Sequence, residues 1–395
     1  MVTLLFILIC ISFVGLGIPD SIFGSAWPEI QIKFGFPSSY ANYVTLTNFS
    51  FTVISSLLSN ALVKKFGTGI VTAVSTLLTA LGLLGFSLSQ SYVVFILMGI
   101  PLGFGAGGID SVLNNYVATH YKSSHMSFLH CFYGVGVFAS PFIMSFALSG
   151  ASGWRGGYTF VFIIQMVITS LTFLALPLWI GVRKKGIHKP ITIEENSSKN
   201  EGGLLAAAKN PLVRIGWIIF FGSVALEFTC GVWASSYFVH HLKITPDKAA
   251  FILSFYYLGI TVGRFISGLL NTKLKPWTII FIGQAITLSG VALMFFGKLV
   301  TPLISVILIG LGNGPLFPNM TYLTPYNFGK ENSQAVIGTQ MAVCNISIAV
   351  MTFVFGYIAD VAIWIFPIFL LGEYLIMIFG TVLLKTKLKK KITTL

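Results

Sequence analysis

Roughly 20 consecutive, mostly apolar residues are what an α-helix needs to cross about 30 Å of hydrocarbon. Such runs recur twelve times along this chain: 3–26, 38–63, 69–89, 92–119, 124–149, 157–182, 211–238, 246–271, 276–297, 301–325, 332–357 and 362–385. In lipid every backbone N–H and C=O must find its partner within the protein, so only helices or a closed barrel can span. The period-two alternation of a barrel strand is absent, which leaves an all-α membrane protein. Composition agrees, since 55% of residues are hydrophobic and 9% charged, where a soluble globule carries about a quarter charged. The first run begins directly after Met1, exceeds a signal-peptide core in length and lacks a basic leader, so it is read as a retained helix. Cys10, Cys131, Cys230 and Cys344 fall in four different runs, which suggests buried thiols and neither a disulfide framework nor a CxxC metal site.

A net charge of +13 could suggest nucleic acid, but its placement points to a membrane topology. Of the 24 Lys and Arg, 18 lie in loops on one side: Lys64, Lys65, Lys122, the connector up to Arg214, Lys273, Lys275, Lys330 and the tail from Lys385. The other side holds Lys33, Arg155, Lys243, Lys248 and Lys298, and Arg264 lies within a run. Such asymmetry is the positive-inside rule, from which both termini are expected in the cytoplasm of a multi-pass plasma (inner) membrane protein. The tail KTKLKKK then reads as a topology anchor and a contact for anionic lipid.

Between 183 and 210 the chain turns polar, in VRKKGIHKPITIEENSSKNEGG, the composition of a solvated linker dividing six runs from six. Features recur across it at a spacing of about 207 residues: Asp20 with Glu227, Pro37 with Pro246, Lys65 with Lys273, and Gly103, Gly105 and Gly107 with Gly310, Gly312 and Gly314. A parallel six-plus-six repeat is the plan of transporters that rock two bundles about a midplane site. On these features the chain resembles the major facilitator superfamily over nearly its whole length. The resemblance implies twelve transmembrane helices in two six-helix bundles with pseudo-twofold symmetry: 1–182, a cytoplasmic linker 183–210, then 211–385, with a basic cytoplasmic tail 386–395. The family's signature loop after the second helix, Gly-x-x-x-Asp-Arg-x-Gly-Arg-Arg, is degraded to NALVKKFGTG, with Lys64 in place of the Asp.

Polar residues inside the runs mark the candidate site. At 100° per residue, Gly103, Gly107, Asp110, Asn114 and Tyr121 fall within about 40° of one line on the fourth helix. A lone Asp at a helix centre costs about 2.5 to 3.5 kcal/mol on insertion scales, so it normally faces the bundle interior and marks a transport path. Glycines on the same stripe admit a helix or a ligand. Asp20 lies in GLGIPDSIFGSAW, where Pro19 and the glycines are expected to loosen the first helix, with Phe13, Gly24 and Trp27 on the same face. Desolvation penalises the charged form of a carboxylate, the condition for exchanging a proton and so for coupling a proton gradient to solute movement.

GIDSVLNNYV followed by SFLHCFYGVGVFASP narrows the resemblance to the fucose permease-like branch. It implies Asp20 and Asp110 as proton-linked acids and Asn114 as a solute contact. Asn115 stands where that branch often has Pro, and Asp110 where Glu is commoner, so the sugar does not transfer. VALEFTCGVWASSYF and GNGPLFPNMTYLTP also resemble the branch, which implies Glu227 as a third coupling acid and Trp233, Asn313 and Asn319 as cavity wall. Asn115, Trp27, His130, Tyr257 and Gln340 complete the solute-contact candidates, with helix packing as the alternative for His130 and Gln340. Arg264, near the cytoplasmic end of the eighth helix, is read as an inner-gate ion pair or a carbonyl-capping contact in preference to a direct solute ligand, because an Arg in a membrane needs a partner. Glu373, in the peripheral twelfth helix, is left unassigned, and His120, His125, His240 and His241 form no metal-ligand set.

The expectation is a monomeric secondary active transporter that moves a small polar solute, a sugar or polyol, by proton symport with alternating access. No cofactor is implied, Na⁺ is the other coupling ion allowed, and GxxxxGK[ST] does not occur, so a gradient must supply the energy. One rival is a drug or metabolite exporter of the same fold, for which GVGVFASP speaks and the polar fourth helix does not. The other is a membrane-embedded enzyme using His130 with Cys131, whose side chains point about 100° apart on a helix.

Overall fold

The computed structural model describes residues 2–121, 123–184, 209–297, 300–328 and 333–393, and these are helical without a strand. In chain order the helices are α1 Val2–Phe34, α2 Ala41–Phe66, α3 Thr68–Leu88, α4 Tyr92–His120, α5 Ser123–Ser149, α6 Gly153–Leu174, α7 Leu176–Lys184, α8 Pro211–His240, α9 Pro246–Leu270, α10 Pro276–Leu293, α11 Val300–Asn313, α12 Leu316–Phe328, α13 Ser333–Ala362 and α14 Phe366–Thr393. Ten helical stretches among the described residues are long and apolar enough to span, and one of them, Thr339–Lys389, comprises α13 and α14. The 26-residue α2, richer in Asn, Ser and Thr, brings the spanning helices among the described residues to the twelve read from hydropathy.

Two details depart from expectation. Pro19 does not break α1, which runs on through both Pro19 and Pro28. Just before Pro19, a Cβ on Gly17 would come 2.4 Å from the Tyr133 carbonyl, so α5 lies directly against the α1 backbone. The interrupted passage is instead the tenth, where Gly314 and Pro315 part α11 from α12. The basic tail is no separate segment, because α14 carries it to Thr393 without meeting a Gly or Pro beyond Gly380. Most of the linker, 185–208, lies outside the described residues.

The chain divides into two units, Met1–Asn196 with Thr245–Ser254, and Ser197–Ile244 with Phe255–Leu395. Within the first, Leu5, Ile9, Cys10 and Phe13 of α1 pack with Ile109, Leu113 and Val117 of α4 and Leu129 of α5. Lipid tails are as apolar as leucine, so burial alone does not draw spanning helices together; close backbone approach does. A Cβ on Gly103 would meet the Asn48 carbonyl at 2.2 Å, and one on Gly107 the Thr52 carbonyl at 2.2 Å. In the second unit a Cβ on Gly310 would meet the Tyr256 carbonyl at 2.2 Å, and one on Gly314 the Ile260 carbonyl at 2.6 Å. The spacing of 207 to 208 residues seen in the sequence is therefore also a spacing between equivalent contacts.

Candidate functional site

In the first unit α1, α4 and α5 bring the acids together. Asp20 and Asp110 are both exposed although each stands well inside its helix. The Tyr133 hydroxyl of α5 donates to Asp20 Oδ2 at 2.9 Å, and Asn114 Nδ2 donates to Asp110 Oδ1 at 2.8 Å, one turn along α4. The two carboxylates lie within electrostatic reach of each other. His130, one turn from Tyr133, presents its ring edge-on to Phe13 with centroids 5.9 Å apart. Asn114 is half-buried, while Asn115 and His130 are exposed. The glycine stripe of α4 serves a helix: Gly103 and Gly107 lie against α2, and Ser56 Oγ donates to the Gly107 carbonyl at 3.4 Å. Asp110 emerges one turn beyond that covered stretch.

Accessible carboxylates at helix mid-length, each holding a neutral donor, belong to a polar surface, since acyl chains would leave their charge unanswered. Trp27 shares the face of Asp20 in sequence but is fully buried, beside Phe23 at 5.4 Å.

The second unit treats its acid differently. Arg264 Nη2 of α9 lies 3.1 Å from Glu227 Oε1 and 3.4 Å from Oε2, and the Tyr256 hydroxyl donates to the Glu227 carbonyl at 2.9 Å. The ion pair read for Arg264 is present, and its partner is the residue expected to couple protons. Tyr257, half-buried, holds its hydroxyl over Gly231 of α8.

Four other candidates are buried with polar atoms directed at neighbouring helices. Trp233 Nε1 donates to the Thr352 carbonyl at 3.0 Å. Asn313 Nδ2 donates to the Ser223 carbonyl at 3.1 Å and accepts from Ser223 Oγ at 2.8 Å. Asn319 Nδ2 donates to Ser267 Oγ at 2.7 Å, and Gln340 Oε1 accepts from Thr324 Oγ1 at 3.3 Å. As placed, these four clasp helix to helix.

Sequence reasoning missed Tyr133, Tyr256 and Ser223. Only Tyr133 had a signal, its position three residues after His130 on the same helical face. Glu373 is 1% exposed; one oxygen accepts from Thr229 Oγ1 at 2.7 Å and the other finds no donor among the described residues. No group of three or more His, Cys, Asp or Glu gathers among the described residues.

A family profile described as Major Facilitator Superfamily matches residues 5–352. Among curated relatives, Bypass of stop codon protein 6 of Saccharomyces cerevisiae is 23% identical over 390 residues, covering 88% of this chain and 76% of that protein. The glucose/mannose transporter GlcP of Bacillus subtilis is 20% identical over 306 residues, covering 75% of this chain and 73% of its own. Among solved structures, the nucleoside transporter NupG superposes with a TM-score of 0.74 at 13% identity, over 96% of this chain and 98% of that one. A D-xylose-proton symporter does so at 0.69 and 14%, over 94% and 96%. At such identities the likeness shows the fold.

Proposed function

The chain belongs to the Major Facilitator Superfamily, and from that premise we propose that this integral membrane transporter moves a sugar or polyol together with protons, by alternating access. The observation that carries the reading is the pair of exposed carboxylates, Asp20 and Asp110, held by the neutral donors Tyr133 and Asn114. Neutral donors steady an anion without cancelling its charge, so a proton is the natural neutraliser before the surface is closed off from water. Glu227 already faces a guanidinium, so in this reading it holds Arg264 in place as a gate pair and the proton work falls to the first unit. Asn114, Asn115, His130 and Tyr257 offer amide, imidazole and phenol groups of the kind that hydrogen-bond sugar hydroxyls.

The relative named as a glucose/mannose transporter and the fold shared with a D-xylose-proton symporter support a sugar and a proton. The asymmetry of Lys and Arg supports cytoplasmic termini. The reading takes the monomer as the working unit and needs no cofactor beyond the coupling ion.

The test is transport by the purified protein in sealed vesicles. Asp110→Asn is expected to abolish uphill accumulation of labelled sugar driven by a pH gradient while exchange down a sugar gradient continues. Undiminished uphill accumulation by both Asp20→Asn and Asp110→Asn would overturn the coupling scheme. A Na⁺ gradient at uniform pH tests the other ion, and a thermal-shift screen of monosaccharides and polyols identifies the solute through the stabilisation that binding confers.

A further inference from the structure

The start of α10 and the end of α14 carry a group of side chains that solute transport does not use. Lys385 Nζ sits 4.6 Å from the ring centroid of Trp277, bridging the two helices. Lys275 is the residue immediately before α10, two before Trp277, and Lys389 follows Lys385 by one turn on the same face of α14. Lys275 and Lys389 both lie within electrostatic reach of Lys385. Lys275 and Lys389 are exposed, whereas Lys385 and Trp277 are half-buried. Neither 271–284 nor 380–393 contains an Asp or Glu. Like charges gathered in this way repel one another, and an anion between them would relieve the repulsion.

We propose that Lys275, Trp277, Lys385 and Lys389 form a docking site for the phosphate headgroup of an anionic glycerophospholipid. Three features favour a lipid as the source of that phosphate. Tryptophan concentrates at the level of the headgroups, and Trp277 opens the apolar stretch of α10. Lys385 is half-buried against the Trp277 ring, the setting in which a lysine packs its stem on apolar surface and keeps its ammonium at the boundary. Basic clusters beside spanning helices attract anionic leaflets by about 1 kcal/mol per Lys.

The matching place of the first unit lacks the tryptophan. Gly69 stands 208 residues before Trp277, and the Trp179 ring of α7 covers it, 2.7 Å from where a Cβ would be. There Lys65 lies over its own neighbour Phe66, at 5.2 Å.

The purified full-length protein is examined by native mass spectrometry after incubation with phosphatidylglycerol, phosphatidylcholine or inorganic phosphate. Wild type is expected to retain phosphatidylglycerol, and Lys385→Gln with Lys389→Gln to retain it about five-fold less per lysine removed. Phosphatidylcholine binding should be unchanged, and Lys64→Gln with Lys65→Gln should leave phosphatidylglycerol retention at the wild-type level. Equal retention by wild type and the Lys385, Lys389 variant would overturn the site. So would an equal loss in the Lys64, Lys65 variant, which would mean general surface charge, or displacement of the lipid by millimolar inorganic phosphate, which would mean a free-anion site. Melting curves in phosphatidylcholine check that each variant folds, and Trp277→Phe, which alters the ring and leaves every lysine, is expected to weaken retention by a smaller factor.

Discussion

Asp20 and Glu227 stand at matching positions of the two units, yet one meets a phenol and the other a guanidinium. The cause lies in the facing helix: 208 residues before Arg264 the first unit has Ser56, which turns to the Gly107 carbonyl. Asp110 has Phe317 as its counterpart, whose ring meets Phe220 edge-on at 5.6 Å, and Phe220 itself matches Phe13. In the third such pair the charge lies on the other side. Gln165 donates to Thr79 Oγ1 at 2.7 Å, and the residue 208 later is Glu373, held by Thr229. The α4 glycines that bring its backbone against α2 are duplicated in the second unit; the polar pairings are not. Close packing tolerates no added atoms, so it preserves the repeat, whereas a polar side chain can be exchanged wherever a different partner is available.

The largest effect is expected where the units agree. Gly103→Val and Gly310→Val each force a side chain into a carbonyl 2.2 Å away and should each cost about 3 kcal/mol, seen as loss of a monodisperse peak in detergent. If only one collapses, the two frames are not equivalent. Next comes Arg264→Met, which strands Glu227. With side chains 24% and 20% accessible, the loss should be about 2 kcal/mol in thermal unfolding, below that of a fully buried pair. Adding Glu227→Gln should recover most of it, and failure to do so would mean that Arg264 acts through packing. Tyr133→Phe removes one hydrogen bond from Asp20 and should cost about 1 kcal/mol; the same loss in an Asp20→Ala background, which lacks any side-chain acceptor, would show that the bond is not to the carboxylate. The smallest change is expected for Glu373→Gln, which installs the residue type of the first unit. It keeps an acceptor for Thr229 and removes an ionisable group from a fully buried position, so stability should stay within about 0.5 kcal/mol or rise. A large loss would mean that a neighbour requires the carboxyl group.

Much of the frame was legible from the chain. Hydropathy located the spanning helices because the cost of placing a residue in lipid accrues locally, and Gly103 matched Gly310 because close approach admits only small residues. Asp20 and Asp110 stood out because a carboxylate within an apolar run is too costly to be incidental. The continuity of α1 through Pro19 was not legible, since by local propensity Pro and Gly mark a break. The helix-joining use of Trp233, Asn313, Asn319 and Gln340 was equally hidden, because the same amide or indole serves a solute or a neighbouring helix according to what packs beside it.

The sequence by itself determined an all-helical membrane protein, a duplicated six-helix plan and acids in the middle of spanning segments, since each follows from residue-by-residue solvation or from periodicity. Only the tertiary structure decided which partner each acid has. Tyr133 is 113 residues from Asp20 and Arg264 is 37 from Glu227, separations that no local pattern encodes, and the partner alone distinguishes a carboxylate held by a neutral hydroxyl from one held in an ion pair.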